Sequence, residues 1–203
     1  MYTFRMFCEK WSEALHPRVP KGKKGGGQFT NKYIHYAFEP LNKLKNVPPI
    51  DQSENGMKPR GIWFGIGSSW KDWVDSEYGN DLPTDVKNIY DTKFPTQTQT
   101  ALVLKKGAKI LRITNAKQLD DFTRKYPGED EYLTVDKSGV MGQEARWQPG
   151  QMINWQKVAK DYDGIIIAPY IWSRRLSDHT MWYYGWDVAS GCIWNIDAIR
   201  MLK

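Results

Sequence analysis

The chain has 203 residues, 29 Lys+Arg against 23 Asp+Glu, a formal net charge of +6 and a pI near 9.1. At 40% hydrophobic, with 10 Trp, 11 Tyr and 7 Phe, it can bury a core, which excludes wholesale disorder, and no apolar run approaches the roughly 18 residues of a membrane span. Cys8 and Cys192 are too few for a disulfide scaffold or a four-thiolate zinc site, and His16, His35 and His179 lie too far apart for an HExxH pair, so no metal is expected.

Residues 1–32 hold seven cations against two acids. They carry +5 of the net charge and leave +1 for the rest of the chain. The start, MYTFRMFCEKW, lacks the apolar core of a secretory signal, so a reducing, cytoplasmic setting is expected. Phe4, Phe7, Trp11 and Leu15 recur at helical steps. The stretch HPRVPKGKKGGGQF (16–29) reads as a flexible basic tether, or as an arm for phosphate backbones. It resembles segments common in phage and prophage proteins, which implies a host cytoplasm. The boundary falls near residue 32, with a single domain over 33–203.

From Tyr33 the texture becomes globular. Residues 33–38 read as a strand, 40–45 as a turn or short helix, 46–60 as a loop and 61–66 as a second strand. Ser68 is placed to cap a helix running through Tyr78. Residues 100–104 and 108–113, joined by Lys105-Lys106-Gly107, read as a hairpin. Asn115 caps a helix that Pro127-Gly128 ends, and 127–150 are rich in turns. Asn154 caps a helix through Lys160. Residues 165–168 form a short buried strand, 169–187 an aromatic loop and 188–196 the last strand, after which 199–202 trail off. Strands outnumber helices and do not alternate with them regularly. The expected fold is α+β, with a mixed, mainly antiparallel split sheet and few helices.

No Walker loop, GxGxxG after a strand, GxSxG or CxxC is present. Three segments nevertheless stand out in order: Ile34-His35-Tyr36, then 58–70 (KPRGIWFGIGSSW), then 190–200 (SGCIWNIDAIR). Together they resemble the ADP-ribosyltransferase superfamily, on its diphtheria-toxin-like and PARP-like side. The resemblance puts His35 at that family's first-strand histidine. It puts Gly61-Ile62-Trp63-Phe64-Gly65 on its aromatic segment, with Trp63 at the tyrosine, and Ser190 where the family carries a glutamate.

What this implies is an NAD-dependent transfer of ADP-ribose to a macromolecule, protein or nucleic acid. His35 is expected to bond a ribose hydroxyl and the adjoining backbone to hold the carboxamide. Trp63, with Tyr36 or Trp70, is expected to stack the nicotinamide, and Gly61 belongs to the same segment. Ser68 and Ser69 either cap a helix or approach the ribose. Ser190 can bond a hydroxyl but supplies no charge, so Asp187 and Glu144 are the candidate carboxylates. Tyr170, Trp172, Arg174 and Arg175 combine arginine with aromatic rings, a composition that holds unpaired bases, and they are the candidate acceptor contacts. The same residues have structural readings: His35 as a hydrogen-bonded core side chain, the serines as caps, Asp187 as a turn acid, and the loop as a lid. The alternative function is a catalytically inactive phage-type protein that engages a host protein or nucleic acid.

Overall fold

The computed structural model describes residues 33–37, 41–78, 98–128, 132–133, 145–146 and 151–201. Its strands are β1 (Tyr33–Ala37), β2 (Ile62–Ile66), β3 (Thr98–Leu104), β4 (Ile110–Ile113), β5 (Tyr132–Leu133), β6 (Ala145–Arg146), β7 (Gly164–Ile167), β8 (Ser190–Ile193) and β9 (Ile199–Met201). Its α-helices are α1 (Ser69–Tyr78), α2 (Ala116–Lys125) and α3 (Trp155–Asp161). Seven strands form one sheet in the order β4-β7-β8-β2-β1-β3-β9, and β5 pairs with β6 separately. Only β4 with β7 is parallel in the large sheet. The fold is therefore α+β, with a mixed and mainly antiparallel sheet.

The sheet curls. Arg112 on β4 reaches the Tyr33 hydroxyl on β1 at 3.4 Å, although four steps separate these strands in the sheet order. In a flat sheet the two strands would lie about 19 Å apart, beyond the reach of the two side chains. Cross-strand partners share a face. Register therefore puts Ile62, Phe64, Ile66, Ile166, Ile193, Leu102 and Tyr33 on the concave side. It puts Trp63, Ile165, Ile167, Cys192 and Ser190 on the convex side.

The convex side is covered by an aromatic layer. Ring contacts run from Trp63 to Trp186 (4.8 Å), to Trp182 (6.0 Å), to Phe122 of α2 (5.3 Å) and on to Trp155 of α3 (5.8 Å). Trp155, Trp182 and Trp186 are at most 1% exposed. Each of these indoles removes 150–250 Å² from water, on the order of several kcal/mol. On the concave side Gly191 is required by close approach. A Cβ there would meet Phe64 Cζ at 2.5 Å and the Ile165 carbonyl at 2.7 Å.

Local signals hold where one residue does the work. Asn115 and Asn154 accept from Gln118 and Lys157 N–H, each at 3.0 Å, capping α2 and α3 as their positions suggest. Three expectations change. The strands flanking Lys105-Gly107 are not a hairpin: β3 lies between β1 and β9, while β4 pairs in parallel with β7. The turn forms, with Gly107 at φ 90, but it redirects the chain instead of folding it back. The all-buried β7 needs a second neighbour for its backbone groups, and β4 supplies it. No helix forms at 41–45, the described part of that segment. The last expected strand is shorter, at Ser190–Ile193, because Ile196–Ala198 form a 3-10 turn, and the trailing residues instead make β9.

Candidate functional site

The site has to be built around β2, which carries Trp63 and ends at the two serines. β2 pairs with β8 over four residues, Ile62↔Ile193 through Gly65↔Ser190. It pairs with β1 over only two, Tyr33↔Ile66 and Ile34↔Gly65. Beyond Ile34, β1 keeps its pairing with β3 as far as Ala37 but has no ladder partner on β2. The strands part there, and a side chain spans the opening: His35 Nδ1 donates to the Trp63 carbonyl at 2.7 Å. A carbonyl only accepts, so this bond puts the proton of the neutral ring on Nδ1. Nε2 is left as an acceptor lone pair. The Tyr36 hydroxyl reaches the Gly67 carbonyl at 3.5 Å, on the same stretch of β1.

The expected residues do not all converge on one face. His35 shares the face of Tyr33 and Thr100, whereas the Trp63 indole and Ser190 stand on the convex side. His35 therefore meets Trp63 through the backbone of β2 and not through the indole. Trp63 itself is half-buried. Its Nε1 donates to the Pro59 carbonyl at 3.2 Å, Trp186 packs edge-on, and Lys58 Nζ lies 5.2 Å from its ring centroid. Gly61 sits where a Cβ would collide with the Ile193 carbonyl, so it serves the β2–β8 seam.

The three serines have structural partners. Ser68 Oγ donates to Asp72 at 2.7 Å, and the Ser68 carbonyl accepts the Asp72 N–H at 2.9 Å, which starts α1. Ser69 is buried. Its Oγ donates to the Ala189 carbonyl at 2.9 Å and accepts the Ile66 N–H at 3.1 Å, tying α1 to β2 and to the approach to β8. Ser190 is also buried, and its Oγ donates to the Val188 carbonyl at 3.0 Å. Cys192 is fully buried, and burial pushes its thiol far above the usual range, which leaves it an inert packing residue.

Of the two candidate carboxylates, Asp187 lies at the entrance to β8, and Glu144 falls outside the described residues. Asp187 pairs with Arg175 at 3.4 Å, and both side chains are about four-fifths buried. Burial raises the Asp187 pKa, and the charges of Lys58 and Arg175 pull it partly back.

The segment expected to hold an acceptor divides in two. Tyr170, Trp182, Tyr183 and Trp186 are core, and Tyr183 accepts the Ile171 N–H at 2.9 Å. Burial raises the Tyr170 and Tyr183 pKa values. Trp172 and Tyr184 are 40% and 47% exposed, and the Arg175 guanidinium lies 5.7 and 5.8 Å from their rings. Arg174 is committed elsewhere, through a two-point bond to Asp120 of α2 at 2.7 Å on each arm. Of the expected acceptor contacts, Trp172 and Arg175 come together, beside Tyr184. A hollow of about 650 Å³ is lined by Arg124, Arg174, His179 and Thr180 among others, but not by these three. It is separate from the β1–β2 opening.

Sequence reasoning gave Lys58 no role, and it did not separate Tyr184 from its buried neighbours. Lys58 lies five residues before Trp63 on an irregular segment, so no periodicity links them. Tyr184 stands in a run of aromatics whose buried and exposed members look alike in sequence. Among the described residues no cluster of three His, Cys, Asp or Glu forms a metal site, and no helix is long and apolar enough to cross a membrane. Comparison of the chain with protein-family models, with curated proteins and with solved structures gave no match.

Proposed function

We propose that the chain is an ADP-ribosyltransferase-like protein that binds NAD⁺ at the β1–β2 opening and transfers ADP-ribose to a macromolecule. The observation that carries this reading is the two-residue β1–β2 ladder bridged by the His35–Trp63 hydrogen bond. A sugar hydroxyl is a donor, and His35 Nε2 is the acceptor left on a ring whose Nδ1 is held by the Trp63 carbonyl. A primary carboxamide offers one acceptor and two donors, the complement of the N–H and C=O groups along a strand edge that lacks a ladder partner.

The chemistry asks for more than binding. As the bond from ribose to the nicotinamide nitrogen breaks, its electron pair goes to the ring and positive charge grows on the sugar. A fixed anion nearby lowers that barrier. Ser190 has no charge to give. Asp187 is the described carboxylate nearest to β8 in the chain, and it acts only if the cofactor or the acceptor draws Arg175 away from it. That pairing favours a second reading, in which the protein binds the dinucleotide or a macromolecule without turnover.

One experiment separates the two. The chain is incubated with NAD⁺ labelled in the adenylate, together with host lysate, RNA and DNA, beside His35→Ala. Label transfer and nicotinamide release that depend on His35 support the transferase. A thermal shift with NAD⁺ but no release supports the binding protein. No shift and no release count against both uses of the opening.

A further inference from the structure

The net charge of +1 over residues 33–203 conceals a separation of charge. The turn between β3 and β4 belongs to a junction tied by a closed circuit of hydrogen bonds. Lys105 N–H donates to the Ala198 carbonyl at 2.8 Å, and Asp163 N–H donates to the Lys109 carbonyl at 2.8 Å. The Asp163 carbonyl in turn accepts from Trp194 and Asn195 N–H, at 3.1 and 3.2 Å, and the chain from there returns to Ala198. Val47 N–H joins the Trp194 carbonyl at 2.9 Å, and Ile196 N–H joins Asn46 Oδ1 at 2.7 Å, which holds a third segment at the same place.

Six cations stand around this circuit: Lys43, Lys45, Lys105, Lys106, Lys109 and Arg200. All six are exposed. Leu44 and Val47 pack against the core, which leaves Lys43 and Lys45 on the outer side of their segment. Arg200 lies opposite Val103 on the edge strand β9, next to the strand end that leads into Lys105. Two acids share the junction. Both oxygens of Asp163 are engaged, one by Lys109 N–H and one by the Asn195 side-chain amide, each at 2.8 Å, and Asp197 is exposed. Among the described residues none of the six cations has an ion-pair partner, whereas Lys117, Arg124, Lys125, Arg174 and Arg175 each have one. The exposed large apolar side chains, Ile50, Trp172, Leu176 and Tyr184, all lie outside these segments.

We infer that this junction is a docking surface for the phosphate backbone of a nucleic acid. Lysines that neutralise phosphates release the counterions condensed on the strand, and these lysines have no protein carboxylate to leave first. The surface offers charge but no exposed ring on which a base could stack, so it holds the backbone without reading sequence. An anionic membrane would meet the same charge, but a face that enters lipid pairs its cations with apolar side chains, and none is exposed here. The inference is independent of what occupies the β1–β2 opening.

The test titrates the full chain against a labelled DNA duplex of about 20 base pairs, by fluorescence anisotropy, from about 50 to 200 mM salt. Wild type is compared with Lys105→Gln/Lys106→Gln/Lys109→Gln and, on a separate segment, with Lys43→Gln/Lys45→Gln. Lys71→Gln/Lys117→Gln/Lys125→Gln removes the same charge as the triple variant from exposed positions elsewhere. Thermal unfolding checks that each form is folded. The triple junction variant is expected to bind at least about tenfold more weakly at about 0.1 M salt, with the slope of log K against log salt shallower by about two to three. The double variant is expected to flatten the slope by about one to two, and the control to stay within about twofold of wild type. A duplex of unrelated sequence should bind wild type equally well. No binding by wild type, junction variants that bind as wild type does, or an equal loss in the control overturns the inference. So does binding to phosphatidylserine vesicles that the junction variants lose while the duplex goes unbound, which makes the surface a membrane contact. NAD⁺ affinity, measured on the same forms, is expected to be unchanged, so a failure here leaves the proposed function standing.

Discussion

The two seams of β2 differ, and the difference separates packing residues from site residues. On the β8 side the ladder runs for four residues and its contributors other than the half-buried Trp63 are buried: Ile62, Phe64, Gly65, Ser190, Gly191, Cys192 and Ile193. Every polar side chain there is satisfied inside the protein. On the β1 side the ladder stops after two residues, and His35, Tyr36 and Ala37 remain half-buried. Where backbone pairing continues, side chains are committed to the fold. Where it stops, backbone edge and imidazole keep hydrogen-bonding capacity to spend on a ligand. Ser190, placed at a catalytic position by resemblance, falls on the closed seam, and His35 falls on the open one.

The largest break in this contrast comes from the closed seam. Gly191→Val is expected to lose about 3 kcal/mol, because its Cβ meets Phe64 and a backbone carbonyl that cannot both retreat. A shift of the urea midpoint at constant slope measures it, and a variant as stable as wild type would mean the seam is slack. Ser69→Ala is expected to cost about 1 kcal/mol, since the Ile66 N–H and the Ala189 carbonyl each lose Ser69 as a partner but keep their own 3.1 Å bond to each other. The same denaturation series reads it out, and a loss below about 0.5 kcal/mol would show that neither partner depends on Ser69.

On the open seam the signature reverses. His35→Ala is expected to change stability by less than about 1 kcal/mol while weakening NAD⁺ binding at least about tenfold. Calorimetry beside thermal unfolding separates the two quantities. A large stability loss with unchanged affinity would make His35 a core residue.

The smallest effect lies outside both seams, in the Arg174–Asp120 clamp. Its side chains are 31% and 27% exposed, so it contributes about 1 kcal/mol or less. The Arg174 hydrogen bond holds the Asp120 pKa below its ordinary 3.8. The unfolded chain thus takes up protons first. The stabilisation is full above about pH 3.8 and is lost as pH falls through the lower folded value. Asp120→Asn should therefore lower the melting temperature by a constant amount between pH 5 and 7, with the gap closing below pH 4. A gap that stays open in acid would assign the effect to packing.

Much of the local structure was legible in the sequence because single residues decide it. Asn115 and Asn154 cap their helices as their positions suggest, and Ile165–Ile167 is the buried strand that its uninterrupted apolar run implies. The β3–β4 turn was also legible, but the pairing on either side of it was not. A turn fixes a change of direction over four residues, whereas strand partners are chosen by which distant ladders can be satisfied together. The aromatic run 170–186 failed for a related reason. Composition marks Tyr170, Trp172, Tyr183 and Tyr184 alike as stacking residues, yet two are buried and two exposed.

The sequence by itself determined the α+β class, the helix caps, the concentration of basic charge in the first 32 residues and the shortlist from which a site had to be drawn. Each depends on composition or on contacts a few residues apart. Only the tertiary structure decided that β1 and β2 part beyond Ile34, that His35 bridges them, and that Lys58 sits on Trp63. Those facts join residues five to 33 positions apart through the curl of the sheet and the layer beneath it. No local pattern encodes the relative position of such residues, because it is set by how the whole core packs.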